Sequence, residues 1–190
     1  MEAFFNTALV VALGEMGDKT QVLALLLAIR YRRPWLIALG ILLATLVSTG
    51  ITAWLGAFAS HLLPLSILRW ILVTMFFGIA IWTLIPEREE HDQAPAFKSS
   101  ASLILTAFLT FLLAEMGDKS QIATFAMAAK YQQFSTVLAG SIIGEMLAIV
   151  PVLLLGKTTA QWLPLKWVRI AAAAVFAGLG CWILLFGLGD

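Results

Sequence analysis

The strongest constraint on this chain is a stretch that occurs twice at a fixed separation. Glu15-Met16-Gly17-Asp18-Lys19-Thr20-Gln21 returns 100 residues later as Glu115-Met116-Gly117-Asp118-Lys119-Ser120-Gln121, with only Thr exchanged for Ser. Each copy sets two carboxylates and a lysine inside an apolar run, where charge is costly and is kept for a use. The same offset relates Tyr31 to Tyr131, Gly40 to Gly140, Gly56 to Gly156 and Leu63-Pro64-Leu65 to Leu163-Pro164-Leu165. It also relates Arg69 to Arg169, Gly78 to Gly178 and Trp82 to Trp182. Identity held over so long a register marks a duplicated unit.

The solvent of that unit follows from composition. Of the 190 residues, 61% are hydrophobic and 12% charged, and the mean hydropathy is +0.95. A water-soluble domain of this balance could not cover its surface with polar groups, so the chain belongs with membrane proteins. Runs long enough for a helical span extend over about 3–29, 35–63, 65–85, 103–129, 134–156 and 167–186. The expected fold is therefore all-α and polytopic, with six transmembrane helices. Residues 1–85 form the first three-helix repeat, 86–100 a polar cytoplasmic linker rich in Glu, and 101–190 the second repeat. Three crossings is an odd number, so the second repeat enters from the opposite side. Inverted repeats with polar groups at mid-depth are a transporter signature.

Lys and Arg in the loops set the orientation. Arg30, Arg32, Arg33, Arg88, Lys98, Lys157, Lys166 and Arg169 fall on one side, and Arg69 and Lys130 on the other. That bias puts both termini outside. The amino terminus has no Lys or Arg before its apolar run, unlike a cleavable signal peptide, so the first segment reads as a retained span. No basic cluster suggests nucleic acid, and the single Cys181 excludes an internal disulfide.

On a continuous helix, residues three and four apart share a face. Glu15 and Asp18 would then point together, as would Glu115 and Asp118, with Lys19 and Lys119 able to pair with the glutamates. Gln21 and Gln121 would join the same cavity only through a bent or opened helix, for which Gly17 and Gly117 supply the weak points. Four acids converging at low dielectric cannot all stay ionised without positive charge. Competition between protons and a metal ion for such a site is the chemistry of a cation/proton exchanger. Carboxylate and amide oxygens favour calcium, manganese or magnesium over copper or zinc. Candidate metal ligands are Glu15, Asp18, Gln21, Glu115, Asp118 and Gln121. Lys19, Lys119 and Glu145 are candidates for proton coupling or charge tuning, with Thr20 and Ser120 as accessory polar groups. Glu145 breaks the repeat, since Thr45 stands at its matching place. Met16 and Met116 lie off the acidic face and read as gap-fillers. The small residues Gly40/Ala44 and Gly140/Gly144 read as helix-packing contacts, and Pro151 as a kink.

The doubled Glu-x-Gly-Asp-Lys-Thr/Ser motif resembles the calcium/cation exchanger family that includes Golgi and chloroplast manganese/calcium transporters. The resemblance covers the whole chain and leaves the motif intact. It implies exchange of Mn²⁺ or Ca²⁺ for protons, lowering the cytosolic metal level from a bacterial inner membrane. The metal is then a transported substrate, with no permanently bound cofactor. The motif acids map onto Glu15, Asp18, Glu115 and Asp118, followed by Lys19, Thr20, Gln21, Lys119, Ser120 and Gln121. Expected partners are the divalent ion, protons and the bilayer, with a homodimer left open.

Other readings compete with this one. Glu–Lys pairs could serve as structural clamps. A passive cation channel, or an amino-acid exporter on a similar six-span plan, could share the topology. A membrane phosphatase would need Arg, Ser or His arranged for phosphate, and these acids would repel one.

Overall fold

The computed structural model describes residues 1–85, 100–155 and 165–187. The expected linker, apart from Ser100, lies outside those residues, as do Gly156, Lys157 and Leu163-Pro164. The described chain is all helical: α1 (Glu2–Glu15), α2 (Lys19–Tyr31), α3 (Pro34–Leu62), α4 (Leu65–Leu84), α5 (Ser100–Glu115), α6 (Lys119–Tyr131), α7 (Phe134–Leu155) and α8 (Leu165–Phe186). The second four helices repeat the first four in order and in register.

The main difference from the expectation lies at the motifs. Residues 3–29 and 103–129 are not continuous helices. Each is broken after its glutamate, and α5 meets α6 at 71°. Gly17 and Gly117 take φ of +79° and +76°, a left-handed conformation that costs glycine nothing and other residues a Cβ clash. Asp18 and Asp118 follow in extended conformation at the N-cap positions of α2 and α6, where the Asp118 carboxylate accepts from Lys119 N–H and the Asp18 carboxylate makes no capping hydrogen bond. A second matched pair, Arg32 and Gln132, ends α2 and α6 in the left-handed region, φ +53° and +54°. Pro34 then opens α3 at a position where its missing N–H is harmless, while α7 continues through Pro151.

Among the described residues, four helices (α3, α4, α7, α8) are long and apolar enough to cross a membrane, or five spans with the bent α5–α6 pair counted as one. The surface agrees with that. Leu39, Leu46, Ile51, Trp54, Trp70 and Leu147 are exposed, whereas Thr7, Thr45, Ser48, Glu115 and Glu145 are buried. Polar groups inside and apolar groups outside reverse the order of a water-soluble domain.

The helices interleave between the two copies. α1 packs on α7, α5 and α6 on α3, and α4 on α8. Glycines allow the close approaches. A Cβ at Gly40 would stand 2.6 Å from Ala107 Cβ, and one at Gly140 would stand 3.1 Å from Thr7 Cβ, the equivalent neighbour. Gly144 lies still closer, its Cβ position 2.4 Å from the Ala8 carbonyl oxygen. Backbone cannot yield as a side chain can, so Gly144→Ala should destabilise the protein by about 1–3 kcal/mol. Gly50→Ala, with nothing within 4 Å, should leave stability unchanged or slightly higher. Thermal unfolding of the two variants in detergent checks the contrast.

Candidate functional site: a carboxylate cluster at two helix breaks

Ending α1 and α5 on glutamate, and starting α2 and α6 on aspartate, folds each motif back on itself. Asp18 N–H donates to the Glu15 carbonyl at 3.1 Å, and Asp118 N–H to the Glu115 carbonyl at 3.0 Å. The convergence of Glu15 with Asp18 thus comes from a turn, not from a shared helix face. Carboxylate oxygens of Glu15, Asp18 and Asp118 lie within 4.8 Å of one another, all buried. Glu15 Oε1 and Asp118 Oδ2 are buried without a hydrogen-bond partner, so the cluster holds acceptor capacity directed at no protein donor. Such oxygens are costly unless a cation or proton meets them.

The lysines neutralise across the repeat. Lys119 Nζ lies 2.9 Å from Asp18 Oδ1, both groups buried, and Lys19 Nζ lies 3.9 Å from Asp118 Oδ1. These contacts join each lysine to the aspartate of the other motif, not to the glutamate four residues before it. Lys119 also lies 5.8 Å from the centre of the Trp82 ring, a favourable face for an ammonium. Thr20 Oγ1 donates to Glu15 Oε2 at 2.5 Å, and the Ser120 hydroxyl hydrogen-bonds the same carboxyl. Both accessory hydroxyls therefore serve Glu15.

Glu115 lies in a different setting. Its carboxyl accepts from Ser48 Oγ and contacts Thr45 Oγ1, which is 3.2 Å away. The same Thr45 oxygen is 2.5 Å from Glu145 Oε1. A threonine hydroxyl has one proton to give, so satisfying both contacts requires one of the two carboxyl groups to supply a proton of its own. Thr45 and Glu145, equivalent positions in the repeat, thus meet face to face. The glutamines brace the breaks: Gln21 Oε1 accepts from Gly17 N–H at 2.9 Å while its amide donates to the Ala148 carbonyl at 2.8 Å. Gln121 Oε1 takes Gly117 N–H at 3.3 Å. Met116 is 69% exposed, away from the acids.

Reading the sequence missed Ser48 as a partner of Glu115, and Arg169 altogether as part of this region. Arg169, counted with the loop charges although it falls at the edge of the expected span 167–186, lies inside α8 and donates to the Gly17 carbonyl at 3.4 Å. The signal was present: Arg69 and Arg169 recur at the offset of the motif, and repeated charge within apolar helices deserved the same weight.

The family model for the divalent cation/proton antiporter GDT1 matches residues 3–91 and 103–190. The chain belongs to the GDT1 family. Its relatives include a protein of Vibrio cholerae named "Putative manganese exporter", 43% identical over 167 residues, 87% of this chain and 82% of that one. GDT1-like protein 5 of Arabidopsis thaliana is 27% identical over 97% of this chain and 96% of its own length. A GDT1-like protein of Synechocystis is 27% identical over 93% of each. No solved structure matches. The apolar helices and the GDT1 match together make this a multi-pass membrane protein of a transporter family.

The two ion pairs of this GDT1 member should contribute unequally. Asp18→Asn removes the carboxylate beside buried Lys119, and a loss of about 3–5 kcal/mol is expected for a broken buried pair. Adding Lys119→Met should recover most of it. Lys19 is 45% exposed, so Lys19→Met should cost less than about 1 kcal/mol. Melting temperatures of the four proteins test this order.

Proposed function

We propose that this chain exports Mn²⁺, with Ca²⁺ as second substrate, in exchange for protons by alternating access across a bacterial inner membrane. One observation carries the reading: three buried acidic side chains from two helix breaks converge within 4.8 Å, with two oxygens unmet by any donor. Glu15, Asp18 and Asp118 hold the ion in this reading. Manganese in particular enters from the name of the Vibrio relative, because oxygen ligands alone accept either ion. Incoming metal displaces the ammonium groups from the aspartates and any proton from the acids. Proton return from the other face then releases it. Glu115 and Glu145, sharing Thr45, form the proton-bearing arm, and the glutamines hold the breaks open.

We read the topology as six crossings in two inverted three-helix repeats, residues 1–85 and 101–190 joined by 86–100. The pairs α1–α2 and α5–α6 each make one broken crossing. Support comes from reciprocal contacts. Lys19–Asp118 mirrors Lys119–Asp18, and Gly40 on Ala107 mirrors Gly140 on Thr7. Mutual contacts of this kind are the signature of two-fold symmetry. The basic loop after α2 is cytoplasmic in this reading, and both termini are periplasmic.

The test uses purified protein in sealed liposomes with an internal pH-sensitive dye. Mn²⁺, Ca²⁺, Mg²⁺ and Zn²⁺ are added separately. Proton movement driven by Mn²⁺ or Ca²⁺ is expected from the native chain, and Glu15→Gln, Asp18→Asn, Glu115→Gln and Asp118→Asn should each abolish it. Metal entry without proton movement would point to a passive channel. Absence of flux for every cation would leave the acids as structural clamps.

A further inference from the structure

Residues that the duplication makes equivalent have unequal surroundings. Gly17 is half-buried and Gly117 exposed; Gln21 is buried and Gln121 half-buried. The Gly17 carbonyl accepts from Arg169 Nη2. The equivalent arginine, Arg69, turns to the Leu184 carbonyl near the end of α8, and its Nε is buried without a partner. At the motif that Arg69 leaves uncovered lies an open, mostly apolar groove of about 310 Å³, lined by Thr52, Met75, Gly117, Gln121, Ile122 and Phe125. Val152, the equivalent of Thr52, is only 4% exposed. The motif glycines and glutamines match, whereas the residues around them differ: Val152, Val175, Val22 and Leu25 stand where the second motif has Thr52, Met75, Ile122 and Phe125. The two arginines, by contrast, are the same residue in unlike places.

We propose that Arg169 and Arg69 are reciprocal latches of the transport cycle. Arg169 on the Gly17 carbonyl holds one approach to the carboxylate cluster closed. In the alternate state Arg69 takes the equivalent place on the Gly117 carbonyl and lies across the groove, while Arg169 lets go. A helix break leaves carbonyls without intrahelical partners, and a guanidinium meets them with several fixed donors. Two packings exchanging one such contact are the kind of bistable element that switching requires. The purpose of the latches rests on the transport reading; their exchange is testable without it.

Thr52→Cys and Val152→Cys, each in a Cys181→Ser chain, are purified without added metal and treated with a charged methanethiosulfonate reagent. Thr52→Cys should react faster than Val152→Cys. Adding Arg169→Ala should speed modification of Val152→Cys by about tenfold, the scale of one hydrogen bond to a charged group, and slow that of Thr52→Cys. Adding Arg69→Ala should do the opposite, keeping Val152→Cys protected and Thr52→Cys reactive. Rates indifferent to both arginines overturn the proposal, and so do rates that rise at both positions for either one, as general loosening would give. Mn²⁺-driven proton movement by the Cys181→Ser parent is scored separately, so failure of the latches and failure of the transport reading remain distinct.

Discussion

The ion pair between Lys119 and Asp18, 2.9 Å long between buried groups, is the contact on which the rest of this arrangement depends. Acids buried among apolar helices need positive charge nearby, and this chain supplies it from the opposite copy of the same motif. The pairing therefore neutralises the cluster and also ties the two copies together at their centre. Glycine contacts at Gly40, Gly140 and Gly144 do the same for the backbones, bringing helices close enough for short polar side chains to meet.

A tethered ammonium and a divalent cation have overlapping demands. Both seek carboxylate oxygens, but only the ion can use several at once in a compact shell. Glu15 Oε1 and Asp118 Oδ2, unmet by any donor, are oxygens that lysine leaves over. A GDT1 antiporter needs a site neither too well satisfied without metal nor too costly to empty, and a partly neutralised cluster meets both conditions. In the proposed reading the separate Glu115–Thr45–Glu145 group carries the proton, so the two cargoes need not occupy the same atoms.

Much of the fold was legible from hydropathy and repetition. The ends of α3, α4, α7 and α8 fall within about two residues of the apolar runs, because prolines and charges punctuate them. The helix breaks were legible only as weak points. Glycine permits a left-handed φ, but whether it takes one depends on what the rest of the molecule gains by it. Here the gain is one capping aspartate, Asp118, and a carboxylate cluster that a straight helix would not have formed in the same way. Gln21 shows the same limit: the sequence places an amide near the acids, and only the structure shows its two ends on Gly17 N–H and the Ala148 carbonyl.

The sequence by itself determined the solvent class, the duplication, and which acids and lysines are candidates for the site, because composition and offset identity are properties of the linear chain. Tertiary structure alone decided who meets whom. Lys119 reaches Asp18 and not Glu115, Glu145 faces its own counterpart Thr45, and Arg169 crosses to Gly17. Those partners lie about a hundred residues apart or more, and helical periodicity speaks only for neighbours within a turn or two. The inequality of the two motifs is set outside them, since the motifs match but for Thr20 and Ser120 while the residues packed around them differ, Met75 against Val175 and Phe125 against Leu25.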